Sequence, residues 1–222
     1  MRGDQDSGRR PSGVVGEGHA TRLLKKYIPA RSAKILDFGC GSGMFLGELK
    51  KEGCGNLSGF DIMRYDGAAE NFSGVDLKIA GSGEALPWAD STFDAVMALE
   101  VLEHVENPRF VEREINRVLK PGGIFVVSVP NAFHLANRIF FFLKRDFIRW
   151  SNKNDHFNIF TRKIFNKIFL NDFELVETSY FSPTFGQGLD FKMLHWLDKF
   201  KKYLPENQYF GNFATYVMRK KF

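Results

Sequence analysis

The sequence has few of the features that stabilise secreted proteins or anchor membrane proteins. It contains only two cysteines, Cys40 and Cys54, among 222 residues. Two cysteines do not make a disulfide framework, so we expect reduced thiols in a cytoplasmic protein. The densest apolar run, Ile139–Leu143, is far shorter than the roughly 20 residues of a membrane-spanning helix. The polar N-terminus carries no secretory signal.

Strong charge is also lacking. A formal net charge of +5 permits attraction to acidic substrates or membrane surfaces, but no dense basic stripe predicts nucleic-acid binding. With 44% hydrophobic residues, the chain can bury one substantial core. We expect residues 1–18, which are poor in apolar side chains, to be a disordered tail. Residues 19–222 are expected to form a single domain.

What the sequence does contain is an alternation of apolar runs and helical periodicity. The predicted strands are Lys34–Phe38, Leu57–Phe60, Asp76–Ile79, Phe93–Ala98, Gly123–Val129, Phe173–Phe181 and Phe213–Arg219. The predicted helices span about 20–28, 44–52, 108–119 and 161–171. This pattern predicts an α/β fold with a doubly wound, mostly parallel sheet. An aromatic and basic insertion at about 131–160 interrupts it on the substrate side.

A glycine loop follows the first predicted strand. Residues 35–43 read ILDFGCGSG, so an apolar strand ends near Asp37 and glycines follow at Gly39, Gly41 and Gly43. Glycine lets the backbone turn sharply and approach a ligand closely. Asp61 ends the next apolar run, where a carboxylate can accept hydrogen bonds from ribose hydroxyls. The glycine spacing departs from the dinucleotide fingerprint, and Asp37 suits a ligand that carries an ammonium and a sulfonium group.

These residues, and four motifs after them, resemble the class I S-adenosylmethionine-dependent methyltransferases. The further motifs are AGSGEALPW at 80–88, STFDAV at 91–96, LEVLEHV at 99–105 and RVLKPGG at 117–123. The resemblance implies a seven-stranded Rossmann-like methyltransferase fold whose last strand is antiparallel and lies between its neighbours. It also implies S-adenosyl-L-methionine as cofactor. The predicted cofactor-binding residues are Asp37, Gly39, Cys40, Gly41, Gly43, Asp61, Ile62, Ser82, Gly83, Glu84 and Glu100.

Within that set, some roles stay open. Ser82 stands where the family usually has an acid that contacts the adenine amine, so adenine recognition is expected to rest on neighbouring backbone groups. Leu86 and Trp88 either flank the adenine or belong to the core. Glu100 lies near the expected methyl group and is either a contact or a solvated acid.

A second candidate site lies in the LEVLEHV motif. Residues three and four apart share a helix face, so Glu100, Glu103 and His104 would converge, with His156 of the insertion as a fourth ligand. Such a set resembles that of metal-dependent O-methyltransferases and would hold Mg²⁺ or Mn²⁺. The alternative is a metal-free site in which His104 is a wall residue or the general base. We keep His104 as the candidate catalytic residue in either case.

The insertion carries the clues to the acceptor. Its apolar run with basic flanks is either a lid for an apolar or lipid-linked acceptor at a membrane surface or a helix whose phenylalanines pack on the sheet. We expect packing, because most of the 24 phenylalanines should be core residues. We therefore predict methyl transfer to a small-molecule, saccharide or lipid-linked acceptor, with oxygen as the methylated atom. The alternatives are a non-catalytic cofactor-binding module and an NAD-dependent oxidoreductase.

Overall fold

The computed structural model describes residues 13–65, 69–81, 83–148, 150, 155–183, 200 and 202–222. Within these residues the strands are β1 (Lys34–Phe38), β2 (Asn56–Asp61), β3 (Asp76–Ile79), β4 (Phe93–Leu99), β5 (Leu119–Pro130), β6 (Phe173–Pro183) and β7 (Gly211–Lys220). The helices are α1 (Gly13–Tyr27), α2 (Met44–Lys51), α3 (Ala69–Phe72), α4 (Pro108–Val118), α5 (Leu135–Lys144) and α6 (Arg162–Phe169).

All of these strands join one sheet, in the order β3-β2-β1-β4-β5-β7-β6. The five neighbouring strands β3, β2, β1, β4 and β5 pair in parallel, whereas β7 pairs antiparallel with β5 and with β6. The last strand is therefore inserted between its neighbours, and the predicted fold class is confirmed. Because β1, β2 and β4 run parallel, their carboxyl ends meet at one edge, where ligands of such sheets bind.

Helices cover both faces of the sheet. On one face, Leu46 of α2 lies in a buried cluster with Met97 of β4. On the other face, Ile115 of α4 and Phe165 of α6 cluster with Val96. Val96 and Met97 are adjacent in β4, and successive side chains of a strand point to opposite faces of the sheet. A fully buried strand therefore contributes to the cores on both faces. Each buried side chain of this size stabilises the fold by about 1.5–3 kcal/mol relative to exposure.

The first helix starts earlier than predicted. We expected a tail through residue 18 and a helix from Ala20, but α1 begins at Gly13. Residues 13–18 are therefore helical, while residues 1–12 lie outside the described part of the chain. Ala20, Leu23 and Leu24 are buried against the sheet, and a helix docked in this way extends at little cost, because propagation is far easier than nucleation.

The prediction that the phenylalanines of the insertion pack on the sheet is wrong for part of α5. Phe141, Phe142 and Leu143 are 50%, 85% and 64% exposed. The physical reason is that α5 buries small and polar residues instead, namely Ala136 and Asn137. Its apolar side is thereby turned outward. In the described residues, no helix is both long and apolar enough to span a bilayer.

Candidate active site

The loop between β1 and α2 depends on its three glycines. Gly39, Gly41 and Gly43 have φ angles of 74°, 52° and 73°, values that residues with a Cβ rarely adopt. A Cβ on Gly39 would also lie only 2.5 Å from the side chain of Val101. The loop is therefore tightly turned and packed directly on the segment that follows β4.

Asp37 and Cys40 flank the first glycine. Asp37 is completely buried and aligns in the sheet with Gly59 of β2 and Met97 of β4. The buried Cys40 donates its backbone N–H to the carbonyl of Phe60, at 3.0 Å. Asp37 thus lies at the base of the glycine loop and Cys40 within it, and the sequence predicts the methionine part of the cofactor beside them.

Asp61 ties the end of β2 to the glycine loop. Its Oδ2 accepts a hydrogen bond from the N–H of Gly41 at 2.7 Å, and its Oδ1 accepts one from the N–H of Ile62 at 2.8 Å. A carboxylate offers about four lone-pair sites, so capacity is left for a further donor. Asp61 therefore fixes the loop, and its role as an acceptor for a ribose hydroxyl stays a prediction from the sequence.

A cleft opens between the end of β2 and the start of α4. Ile62, Gly83 and Glu84 line it, together with Phe60 and Val105. The side chain of Ile62 is 59% exposed, so it can cover one face of a planar base. Ser82, which stands where the family has its adenine-binding acid, lies outside the described residues. The cleft therefore brings together three residues of the predicted cofactor set.

Trp88 packs against the core, whereas Leu86 is both a core residue and part of the cleft lining, so it can still flank an adenine. Leu86 is only 4% exposed. The ring of Trp88 packs edge-on against Phe60 and Phe93, and its Nε1 donates to Asp76 at 2.8 Å. Both side chains thus have protein partners that fix them beneath or beside the cleft.

Glu100 has a strained backbone at the end of β4. Its φ angle is 56°, and such a conformation costs about 1–3 kcal/mol for a residue other than glycine. Ser128 of β5 holds it in place. The Glu100 N–H donates to the Ser128 carbonyl at 3.1 Å, and the Ser128 hydroxyl donates to Glu100 Oε1 at 2.8 Å. Glu100 is therefore oriented by the neighbouring strand.

The structure brings three of the four predicted metal ligands together. One ligand atom each from Glu103, His104 and His156 lies within 4.8 Å of the other two, and Glu100 is not a member of this group. We expected a helix face, but residues 100–105 form a turn instead. The turn closes through a hydrogen bond from the His104 N–H to the Val101 carbonyl, at 2.9 Å. This tighter path separates Glu100 from Glu103.

The proton position on His104 follows from its surroundings. Its Nδ1 lies 3.0 Å from the carbonyl oxygen of Asp155, and a carbonyl can only accept, so Nδ1 carries the proton. In the neutral ring, the Nε2 lone pair then points away from Asp155. Nε2 lies 4.0 Å from Glu103 Oε1. Histidines that bind a metal typically donate their other ring N–H to a carbonyl or carboxylate, which fixes the tautomer in this way.

The end of the insertion is clamped to the turn that carries Glu103. The backbone N–H groups of Phe157 and Asn158 donate to the Glu103 carbonyl at 2.8 and 3.1 Å. The Asn158 side chain donates to the carbonyls of Leu102 and Val105 at 3.1 and 2.6 Å. We name residues 155–158 the strap. Because of the strap, His156 lies beside His104 although the two are far apart in sequence.

Two residues of this site were missed by sequence reasoning. Ser128 lies in a continuous apolar strand, where its polarity is the one available signal. Asn158 lies in a stretch without periodicity, and nothing in the sequence distinguishes it from a loop asparagine. Both act through hydrogen bonds to backbone or to Glu100, which residue patterns do not reveal.

The chain matches known proteins in sequence. Residues 17–178 match the model of a methyltransferase domain. The ubiquinone biosynthesis O-methyltransferase of Sinorhizobium medicae is 28% identical over 148 residues, which cover 62% of this chain and 57% of that protein. The enzyme of the same name from Xylella fastidiosa is 32% identical over 124 residues, or 51% of this chain and 50% of that protein. The match thus spans little more than half the length of these curated relatives.

Solved structures share the fold. An S-adenosylmethionine-dependent methyltransferase from Mesorhizobium loti superposes with a TM-score of 0.61 at 18% identity, covering 93% of this chain and 99% of that one. One from Archaeoglobus fulgidus gives a TM-score of 0.59 at 20% identity, covering 92% and 94%. At these identities the likeness establishes the architecture alone.

Proposed function

Because the chain belongs to the class I S-adenosylmethionine-dependent methyltransferases, we propose that it methylates a hydroxyl oxygen of an apolar small-molecule or lipid-linked acceptor, with help from a divalent cation. The observation that carries this proposal is the group of Glu103, His104 and His156 at the carboxyl end of β4. That group lies just after the segment on which the glycine loop packs. The named activity of the curated relatives, O-methylation in ubiquinone biosynthesis, supports oxygen as the methylated atom.

The residues of the cofactor cleft fit S-adenosyl-L-methionine. Gly39, Gly41 and Gly43 keep side chains out of the loop, Asp61 offers a carboxylate to the ribose, and Ile62 offers an apolar face to the adenine. Bound there, the cofactor supplies a methyl group that is already activated by its sulfonium. The protein then has to align the acceptor oxygen with that methyl group and exclude water, which is worth about 7–11 kcal/mol in well-matched systems.

The donor set at the second site suits a divalent cation. One carboxylate and two imidazoles favour a transition metal such as Mn²⁺ over Mg²⁺, which prefers oxygen ligands. Glu103, His104 and His156 would hold the ion. A cation there would lower the pKa of an acceptor hydroxyl. In its absence, His104 would take the proton at Nε2 as a general base, because its Nδ1 already donates to the Asp155 carbonyl.

The sequence alone leaves two alternative functions, an NAD-dependent oxidoreductase and a non-catalytic cofactor-binding module. Membership of the methyltransferase family argues against an NAD-dependent oxidoreductase. A non-catalytic module would bind the cofactor but transfer no methyl group, and the experiment below separates it from an enzyme. We also propose a cytoplasmic location, in keeping with the two cysteines of the chain.

The test uses cofactor labelled in its methyl group. The protein is incubated with a catechol and, separately, with fractionated lipid extract, each with Mn²⁺ or with excess chelator. We expect label on a hydroxyl oxygen and a loss of transfer on chelation. Glu103→Gln should abolish Mn²⁺ binding in calorimetry, whereas Glu174→Gln, an exposed glutamate of β6, should not. Methyl transfer that survives excess chelator would refute the role of a divalent cation. Cofactor binding without transfer to any acceptor would refute the proposed methyltransferase activity.

A further inference from the structure

Helix α5 presents apolar side chains to the outside. Leu135, Ile139 and Phe142 follow one another at spacings of four and three residues, which places them on one face of the helix. They are 40%, 52% and 85% exposed, and the adjoining Leu143 is 64% exposed. An exposed apolar patch on a helix marks an interaction site more often than an accident of packing. We call these four residues the α5 face.

The opposite side of α5 is fixed to the protein by polar contacts. Asn137 donates from Nδ2 to the Asn131 carbonyl at 3.0 Å and accepts at Oδ1 from the Ile148 N–H at 3.2 Å. The buried His134 caps the helix by accepting from the Ala136 N–H at 3.1 Å. These bonds hold the helix in one orientation. The outward direction of its apolar face is therefore built into the fold.

The surroundings of the α5 face are basic. Residues 131–146 contain Arg138, Lys144 and Arg145 and a single acid, Asp146, and all four of these residues are exposed. The guanidinium of Arg138 lies over the rings of Tyr209 and Phe133, at 5.0 and 6.0 Å from their centroids. Apolar residues flanked by lysine and arginine are typical of helices that lie in the interface of an anionic membrane.

We infer that the α5 face docks the protein on an anionic lipid bilayer. Phe142 and Leu143 would enter the boundary between head groups and acyl chains, while Lys144 and Arg145 would contact the head groups. A second copy of the chain is a poorer occupant. A symmetric dimer through this face would bring three basic residues of each copy together with only one acid of the segment, Asp146, to offset them.

Helix α5, through Phe141 beside the α5 face, connects to the candidate active site by a series of ring contacts. Phe141 contacts Phe147, Phe147 contacts Trp150, and Trp150 contacts His156, with ring centroids 5.1, 5.7 and 5.8 Å apart. His156 in turn contacts His104. Docking through α5 would therefore bring the acceptor side of the site close to the lipid, a consequence that rests on the proposed function. Docking itself does not.

The test is co-sedimentation of the full chain with vesicles of phosphatidylcholine alone or of phosphatidylcholine mixed with phosphatidylglycerol, an anionic lipid that attracts basic segments. Phe142→Glu/Leu143→Glu should weaken partition into the anionic vesicles by about tenfold or more, because two apolar side chains are lost from the interface. Lys144→Glu/Arg145→Glu should remove the preference for anionic lipid. The control Lys163→Glu/Ile164→Glu alters an exposed base and an exposed apolar residue on α6 and should bind normally.

Several outcomes would overturn the inference. One is a wild-type protein that does not sediment with anionic vesicles. Another is an equal loss of vesicle binding in the α5 and α6 variants. A third is a wild-type dimer, seen by analytical ultracentrifugation, that the α5 variants dissociate, because the face would then be a self-interface. Circular dichroism and a thermal midpoint for each variant establish that it is folded. Methyl transfer is not measured, so failure here leaves the proposed enzyme untouched.

Discussion

The imidazole of His156 packs edge-on against the imidazole of His104, with ring centroids 4.7 Å apart. His104 belongs to the turn after β4, whereas His156 belongs to the insertion after β5. The site is thus assembled from two segments that the strap joins. The position of each imidazole depends on the backbone segment that carries it. The hydrogen bonds of the strap, which join the two segments, therefore control the geometry of the whole group.

Asn158→Ala should loosen this group. The substitution removes the side-chain hydrogen bonds to the carbonyls of Leu102 and Val105, which hold the turn that carries Glu103. Loss of an orienting partner outside the ligands costs about 10- to 100-fold in metal affinity. We expect that loss for Mn²⁺ in calorimetry, with the cofactor dissociation constant changed less than twofold.

Asn56→Ala is the matched control for Asn158. Asn56 also donates from its side chain to a backbone carbonyl, that of Ser32 at 2.7 Å, but at the opposite edge of the sheet. It should lower the unfolding free energy by about 1 kcal/mol and leave Mn²⁺ binding unchanged. If the Asn158 variant lost stability to the same degree but bound Mn²⁺ like the wild type, its role would be structural alone.

The sequence predicts the cofactor loop of this site, but it does not predict how the strap brings the second group of residues together. The glycine loop and Asp61 follow from local rules, because a strand end, a tight turn and a helix start each have their own residue preferences. The neighbourhood of His104 and His156 depends on hydrogen bonds of the strap, which no spacing reveals. Likewise, the periodicity of α5 is the same whether its apolar side faces the sheet or the outside. The buried Asn137 decides the direction, and only the structure shows that it is buried.

Asp61→Asn should weaken cofactor binding. The amide is neutral and presents an NH₂ group in place of one carboxylate oxygen, so it matches neither the Gly41 N–H nor a ribose hydroxyl as well. Hydrogen bonds to a charged group are worth about 1.5–3 kcal/mol, which corresponds to roughly a tenfold to hundredfold loss in affinity. Calorimetric titration with the cofactor measures it.

Asp94→Asn serves as the comparison for Asp61. Asp94 is near the amino end of β4, where it accepts from the Lys34 N–H at 2.8 Å and pairs with Lys120. This change should leave cofactor affinity unaltered. Equal affinities in the wild type and the Asp61 variant would show that the carboxylate serves the loop and not the ligand.

Gly39→Ala should destabilise the protein for two separate reasons. The residue has a positive φ angle, which costs about 1–3 kcal/mol for alanine, and its new Cβ would lie 2.5 Å from Val101. Gly74→Ala isolates the first cost, because Gly74 has a φ of 70° but no atom within 4 Å of an added Cβ. We expect the unfolding free energy, measured in urea, to fall further for Gly39→Ala than for Gly74→Ala. Equal losses would mean that Val101 moves aside freely.

A buried carboxyl on α4 should make stability depend on pH. Glu112 is only 1% exposed, and burial, together with a hydrogen bond that its protonated carboxyl donates to the Asp172 carboxylate, raises the pKa of Glu112 to about 7. The folded state therefore holds a proton that the unfolded state releases near pH 4.5. The contribution to stability is complete below pH 4.5 and is lost as the pH rises toward 7. Its size is on the order of 2–3 kcal/mol.

Glu112→Gln tests this relation, because glutamine resembles the protonated carboxyl at every pH. The wild type should lose unfolding free energy between pH 4.5 and 7, and the variant should lose less over the same range. Above pH 7 the variant should be the more stable protein, since it buries no charge beside Asp172. Arg109 lies 3.9 Å from Glu112 and offsets part of the effect. Parallel pH profiles for the two proteins, measured by urea unfolding, would show that Glu112 is ionised in the folded state throughout.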